Sequence, residues 1–319
     1  MNTSQALSRY YLFFAAGDAV GKTTEFMSLD DISSKIGRIS GLMDSSMSQN
    51  HGDLKLWEVT DDTEQNLWLL RRYLKDGKVT IENTVDALVR WIRETGAVEK
   101  KYIGPSSLAA LESIIAGKDP LTTGLNGTTC GGIMRSPAAV WASIILGQDI
   151  DECIYNALVP THNTSVAMES AYGYGYALKA AIEGAGAAEV YEQAVKGCLT
   201  GLGKAPWVWA SAGLLERLKY LRSLDLQSWT DEALKRFLYG VLGTGLPSYE
   251  TSASVAAIAM HTSSPLQALF LAAETGGDTD TIAALSASLV SMMNTDEELP
   301  EGISSVLLEH NDLSVGYET

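Results

Sequence analysis

Gly276-Gly277-Asp278-Thr279-Asp280-Thr281, followed by an apolar run over 282–293, is the most informative segment of the chain. It reads as a tight glycine turn feeding the first turn of a buried helix. Asp278, Asp280 and Thr281 offer oxygen atoms within one helical turn. An earlier stretch, Thr60-Asp61-Asp62-Thr63, carries the same chemistry ahead of another helical pattern. Taken singly, each acidic start is explained by capping, because Asp and Thr are ordinary N-caps and the helix dipole favours an acidic first turn. The pair strains that explanation. Asp278 and Asp280 lie too close together for both to cap one helix, and adjacent Asp61 and Asp62 have the same problem. Brought together, four like charges repel unless cations neutralise them. Oxygen ligation by Asp and Thr suits Mg²⁺, Mn²⁺ or Ca²⁺ rather than Zn²⁺. The Asp278 segment is not an EF-hand loop, since its sixth position is Ala283 rather than Gly.

Working outward, helical periodicity dominates. Leu67, Leu70 and Leu74 share one face of 63–75, with Gly77 as the stop. Ile81, Val85, Leu88 and Ile92 repeat the stripe between a Thr80 cap and a Gly96 stop. Further helices are expected over 106–116, 137–146, 150–159, 165–183, 188–199, 211–221, 231–242, 251–261, 265–273, 279–293 and 300–309. Alternating strand patterns are scarce, and 55–59 is too short to build a sheet. The expected fold is all-α. Helices follow one another without a linker, so residues 1–319 are expected to form one domain.

The chain has 319 residues, 46% of them apolar, enough for a large core. Its net charge of −16 argues against nucleic acid and anionic membrane surfaces as partners. Small anions held by metal ions and backbone amides remain open. The three cysteines contain no CxxC, which fits a reducing cytoplasm. Four histidines make a His-rich zinc site improbable. The N-terminus lacks signal-peptide architecture, and no run reaches the roughly 18 apolar residues of a membrane span. A soluble, cytoplasmic protein is expected.

Two motifs compete for attention. Ala16-Gly17-Asp18-Ala19-Val20-Gly21-Lys22-Thr23 fits a relaxed phosphate-loop pattern. Asp18 would place a carboxylate inside that anion cradle, and the chain lacks the strands of such a fold. Gly173-Tyr174-Gly175 and Gly184-Ala185-Gly186 are incomplete dinucleotide fingerprints with no preceding strand.

Several segments together resemble the ADP-ribosylglycohydrolase family. Gly17-Asp18-Ala19-Val20-Gly21 with Glu25-Phe26 is similar to its Gly-Asp-Ala-Leu-Gly…Glu-Phe opening. Thr60-Asp61-Asp62-Thr63 and Gly276-Gly277-Asp278-Thr279-Asp280-Thr281 match its first and last metal motifs. Asn126-Gly127, Cys130-Gly131-Gly132-Ile133-Met134-Arg135 with Pro137, Thr161-His162, and Gly243-Thr244-Gly245 followed by Glu250 resemble supporting segments. Val20 departs from the usual Leu, and Asn163 stands where Gly often follows Thr-His.

The resemblance implies a single-domain orthogonal helical bundle with a binuclear metal cleft. Two Mg²⁺ ions, with Mn²⁺ as the alternative, would be held by Thr60, Asp61, Asp62, Asp278, Asp280 and Thr281. The substrate would be a protein side chain bearing ADP-ribose, ADP-ribosylarginine foremost, cleaved at ribose C1 through an oxocarbenium-like state. Asp61 or Asp62 would act as acid or base. Glu25 would be a second acid or base, against the plainer reading of a solvated loop residue. The diphosphate would lie on amides of Gly127, Gly131 and Gly132, beside Asn126. His162 would be a hydrogen-bonding residue of the cleft rather than a metal ligand, with a buried structural His as the alternative. Gly243 and Gly245 would form a ligand-facing loop, and Tyr249 would stack on adenine or simply pack. Arg135 would serve the acidic cluster, the substrate or a structural ion pair. Gly17 to Gly21 would form a turn near the cleft, with Lys22 incidental. The competing reading is a non-catalytic ADP-ribose-binding or immunity-type protein that blocks a cognate ADP-ribosyltransferase, because fold alone does not fix activity.

Overall fold

The computed structural model describes residues 1–48, 50–100 and 103–317. Among these the protein is all-α, with sixteen α-helices, no strand, and one isolated antiparallel bridge between Thr129 and Pro247. In chain order the helices are α1 (Thr3–Gly21), α2 (Leu29–Lys35), α3 (Asp61–Asp76), α4 (Ile81–Thr95), α5 (Pro105–Ile115) and α6 (Pro120–Thr123). There follow α7 (Gly131–Leu146), α8 (Ile150–Leu158), α9 (Ser165–Ile182), α10 (Ala187–Lys204) and α11 (Leu214–Arg222). The last five are α12 (Asp231–Phe237), α13 (Ser248–His261), α14 (Pro265–Ala273), α15 (Thr279–Met293) and α16 (Glu301–His310). No helix among the described residues is long and apolar enough to cross a membrane. The chain divides into two compact units, each assembled from separated stretches. The first comprises Met1–Thr63, Arg217–Leu246 and Glu250–Leu313, and the second Glu64–Glu216, Pro247–Tyr249 and Ser314–Thr319.

In the first unit α1 corrects the expected turn at Gly17 to Gly21, which forms the end of a 19-residue helix. Asn2 and Gln5 start the helix as a reciprocal capping box, each side chain accepting the other's backbone N–H. Both glycines have a packing reason. A Cβ on Gly17 would sit 2.4 Å from the Ala283 carbonyl carbon, and one on Gly21 would sit 2.4 Å from the Thr279 oxygen. The backbones of α1 and α15 therefore touch, as helices do where small residues face each other one turn apart. Thr279 Oγ1 donates to the Gly21 carbonyl at 2.8 Å and locks the register. Phe13, Ala16, Val20, Leu269, Ala287 and Leu307 close the core around this contact.

In the second unit α4 has the expected ends: Thr80 accepts the Asn83 N–H, and Gly96 closes the helix at φ +68°. The start of α7 differs from expectation, lying six residues before Pro137. Proline removes one ladder donor and crowds the preceding turn. The Ile133 carbonyl that loses its partner accepts Ser136 Oγ at 2.7 Å. Asn66 spans the break, accepting the Ala138 N–H at 3.1 Å and donating to the Met134 carbonyl at 2.5 Å. The glycines of the dinucleotide-like stretch face side chains. A Cβ on Gly173 would meet Cys198 Sγ at 2.8 Å, and one on Gly175 would meet Ile154 Cδ1 at 2.6 Å. On α10, Gly197 and Gly201 let that helix approach the Tyr172 and Met168 carbonyls of α9.

Because the atoms facing Gly17 are main chain and cannot rotate away, Gly17→Ala should cost about 1–3 kcal/mol or more of unfolding free energy in a urea titration. An unchanged midpoint would show that α1 and α15 are not in backbone contact.

Candidate functional site

The site in the first unit begins with Asp18, fully buried on α1. Its carboxylate accepts the Thr60 N–H at 3.0 Å, the Thr63 N–H at 3.1 Å and Thr63 Oγ1 at 2.5 Å. These donors belong to the start of α3, where N–H groups have no intrahelical acceptor. Asp18 thus caps α3 from another helix and fixes the Thr60-Asp61-Asp62-Thr63 turn. Burial pushes its carboxyl up, and the bonds from Thr63 and Thr60 pull it back.

The second acidic turn is set by Gly276 and Gly277 at φ +79° and +81°, conformations that favour glycine. The Asp278 N–H donates to the Thr244 carbonyl at 2.6 Å, so the Gly243-Thr244-Gly245 loop holds the entry to α15. Gly245 N–H in turn donates to Glu250 Oε2 at 3.0 Å. Thr251 Oγ1 donates to Asp278 Oδ2 at 3.2 Å.

The two turns converge. Thr281 Oγ1 donates to Asp62 Oδ2 at 3.2 Å. Thr60, Asp62, Asp278, Asp280 and Thr281 are buried, and Asp61 is half-buried. Burial, then Asp61, Asp18 and Asp278, hold the Asp62 carboxyl well above the usual range. Burial, then Glu25, Asp62, Asp278 and Asp18, do the same to Asp280. Several carboxylates that each disfavour the other's charge, among hydroxyl oxygens, form a donor set that fits hard divalent cations.

Glu25 is buried rather than solvated. Its Oε2 lies 2.5 Å from His51 Nε2, and a ligand atom from each of Glu25, His51 and Asp280 lies within 4.8 Å of the other two. The adjacent Phe26 adopts φ +59°, a left-handed conformation costly for an aromatic residue. It is held there by its N–H donating to the Gly277 carbonyl at 2.7 Å, while Gly277 N–H donates to the Met27 carbonyl at 3.1 Å. His51 carries no local sequence signal, because only folding brings it to Glu25.

Lys22 is not incidental. Fully buried, it donates to the carbonyls of Ala19 at 3.1 Å, Leu56 at 3.2 Å and Glu58 at 2.6 Å. Burial lowers it to about 8, opposed by Asp18, Glu58 and Asp280. Asp18 and Lys22 lie one helical turn apart, a spacing that puts them on one face of α1 once the segment is known to be a helix.

In the second unit His162 is fully buried. Arg135 Nη2 donates to its Nδ1 at 2.8 Å and to Thr161 Oγ1 at 2.5 Å. With Nδ1 accepting, Nε2 carries the proton and donates to Thr129 Oγ1 at 3.0 Å. Burial, then the Arg135 charge, hold the imidazole well below its ordinary value, so it is neutral. Arg135 also donates to Gln65 Oε1 at 3.2 Å. Gly131 and Gly132 open α7 directly against the His162 ring, where a Cβ would come within 2.8 Å and 3.2 Å of its side chain. The Gly127 N–H is given to the Gly124 carbonyl at 3.0 Å, and a Cβ on Gly127 would meet the Thr161 carbonyl at 2.0 Å. Asn126 lines a cleft of about 430 Å³ with Ser106, Ser113, Lys118 and Thr123. Tyr249 sits half-buried in the first turn of α13. Cys130, Cys153 and Cys198 are buried and unpaired by disulfides.

A family description named ADP-ribosylglycohydrolase matches residues 12–315. "Uncharacterized protein YegU" of Escherichia coli (strain K12) is 26% identical over 320 residues, spanning 98% of this chain and 94% of the relative. An "Uncharacterized protein" of Archaeoglobus fulgidus is 35% identical over 124 residues, 39% of this chain and 38% of the relative. A solved structure titled "ADP-ribosylglycohydrolase-related protein complex" shares the fold at a TM-score of 0.62 and 22% identity, covering 91% of this chain and 88% of that one.

The buried Lys22 gives a signed pH effect. Its folded value of about 8 lies below the ordinary 10.5, so between those limits the unfolded chain binds more protons and stability rises with pH. In metal-free protein, the unfolding free energy of wild type relative to Lys22→Met should climb as pH goes from 8 to 10.5. A flat or falling difference would place Lys22 in solvent.

Proposed function

Since the chain belongs to the ADP-ribosylglycohydrolase family, and is thereby a hydrolase acting on ADP-ribosyl groups, we propose that it removes ADP-ribose from a modified protein side chain, ADP-ribosylarginine foremost. We take residues 1–319 to work as one such domain, in a reducing cytoplasm. The observation that carries the metal-dependent part is the buried, mutually repelling set of Asp62, Asp278 and Asp280 beside Asp61. Thr60, Asp61, Asp62, Asp278, Asp280 and Thr281 would hold divalent cations, two Mg²⁺ ions or Mn²⁺ in their place. Such ions supply charge stabilisation at the ribose and a lowered pKa for bound water.

The chain's own groups have distinct tasks. Asp61 or Asp62 takes the proton from the attacking water. Glu25, steadied by His51, protonates the leaving side-chain atom as the bond to ribose C1 breaks. In the second unit, the amides of the first turn of α7 at Gly131 and Gly132 have the chemistry to take a diphosphate. Asn126 and Gly127 contribute as cleft lining, and His162 as the wedge that positions the glycines. Gly243 and Gly245 act by fixing the approach to Asp278, and Tyr249 offers an aromatic face to adenine.

The test is release of ADP-ribose from ADP-ribosylarginine and ADP-ribosylserine peptides, with Mg²⁺ and with chelator. Release from the arginine peptide that chelation abolishes is expected. No release from either peptide with Mg²⁺ would overturn the reading.

Asp62→Ala and Asp280→Ala should each lower turnover and cation affinity by at least about 10²-fold while helicity by circular dichroism is kept. Full activity in both would sink the metal site. Glu25→Gln should cut kcat by roughly 10²–10⁴-fold with cation binding by the oxygen-only set of Asp62 and Asp278 retained, and an unchanged kcat would remove Glu25 from acid–base duty.

A further inference from the structure

We propose that Glu25, His51 and Asp280 form a divalent-cation position with mixed nitrogen and oxygen ligands, which takes a first-row transition-metal ion in preference to Mg²⁺. The inference rests on the reading of Asp280 as a cation ligand and adds a position that the oxygen-only set does not contain. All three side chains are buried, with His51 at 6%, Glu25 at 8% and Asp280 at 3% exposure. One ligand atom from each lies within 4.8 Å of the other two. An ion about 2.0–2.2 Å from each of three such atoms needs them roughly 3–4 Å apart, so the span closes around a cation with little movement. His51 Nε2 and Glu25 Oε2 stand 2.5 Å apart, a contact that such an ion would replace, and Glu25 Oε2 is a buried oxygen without a hydrogen-bond partner among the described residues.

His51 is held by a built support. Its N–H donates to Ser48 Oγ at 3.0 Å, and Ser48 Oγ donates to the Lys22 carbonyl at 3.0 Å. The His51 main chain is therefore tied to the end of α1, beside the backbone contact that places Asp280. Glu25, Asp62, Asp278 and Asp18 all press negative charge on Asp280, and Lys22 is the buried cation near them. An imidazole in this setting changes the choice of ion. Mg²⁺ prefers oxygen and keeps its waters, whereas imidazole suits later first-row ions.

The chain has four histidines, which makes the nitrogen assignable. Both ring nitrogens of His162 are engaged by Arg135 and Thr129, and those of His261 by the Leu226 carbonyl and Asp231, each at 2.8 Å. The His310 ring stacks on Trp57 at 4.2 Å between centroids.

The experiment is pulsed electron paramagnetic resonance on the metal-free full chain titrated with Mn²⁺, reading echo modulation from a directly bound ¹⁴N. Modulation is expected in wild type and in His310→Gln, and is expected to be lost in His51→Gln, with Mn²⁺ affinity at that position falling at least about tenfold. Circular dichroism checks folding, and His51→Asn is the second variant should the glutamine fail to fold. Wild type without nitrogen modulation, or modulation that survives loss of His51, overturns the proposal. The readout does not depend on turnover. Inactive wild type with the modulation would overturn the hydrolase reading alone, and active wild type without it would overturn this position alone.

Discussion

Backbone contact between α1 and α15 at Gly17 and Gly21 is the constraint on which the candidate site depends. It fixes three things at once. Asp18, between the two glycines, reaches the start of α3 and holds the Thr60 to Thr63 turn. The first turn of α15, with Asp278 and Asp280, is brought to the same place. The loop just beyond α1 then turns back through Phe26 and Gly277 and delivers Glu25. A side chain larger than hydrogen at either glycine would separate the helices and displace all three.

That geometry works against the stability of the fold that builds it. Burying carboxylates beside one another raises the cost of charging each, as the upward shifts of Asp62 and Asp280 express. The protein offsets part of this locally: hydroxyls of Thr281 and Thr251 donate to Asp62 and Asp278, and Lys22 stands as a buried counter-charge. The remainder is a standing demand for external positive charge. A site that conflicts with the preferences of its own fold is where function is expected to lie, because selection for stability alone would remove the conflict.

Much of the fold was legible because most helices bury one stripe and expose another. The α4 stripe from Ile81 to Ile92, with its Thr80 and Gly96 ends, is read directly from spacing. α1 escapes this logic. From Tyr10 to Gly21 nearly every residue is buried, so the segment shows no polar face, and its glycines suggest a turn when they mark a helix contact. α7 escapes for another reason: Pro137 marks a helix start by local rules, and only Ser136 and the distant Asn66 make its interior position tolerable. At the site, the two acidic turns were legible as unusual charge density at helix starts. The partners of those turns were not. Asp18 looked like part of a glycine loop, and the approach of His51 to Glu25 across 26 positions exists only in the folded chain. Gly127 and Gly131 were legible as glycines at a backbone approach, but the approaching group is the Thr161–His162 segment.

Cation binding at the converged acidic turns is tested most directly by thermal unfolding of chelator-treated protein during titration with Mg²⁺ and with Mn²⁺. Ions that bind the folded cluster and not the unfolded chain stabilise by about 2.7 kcal/mol at a hundredfold excess over Kd, so Tm should rise steadily with the logarithm of cation concentration. A Tm that stays flat for both ions up to millimolar concentration would contradict a cation site built by α1, α3 and α15.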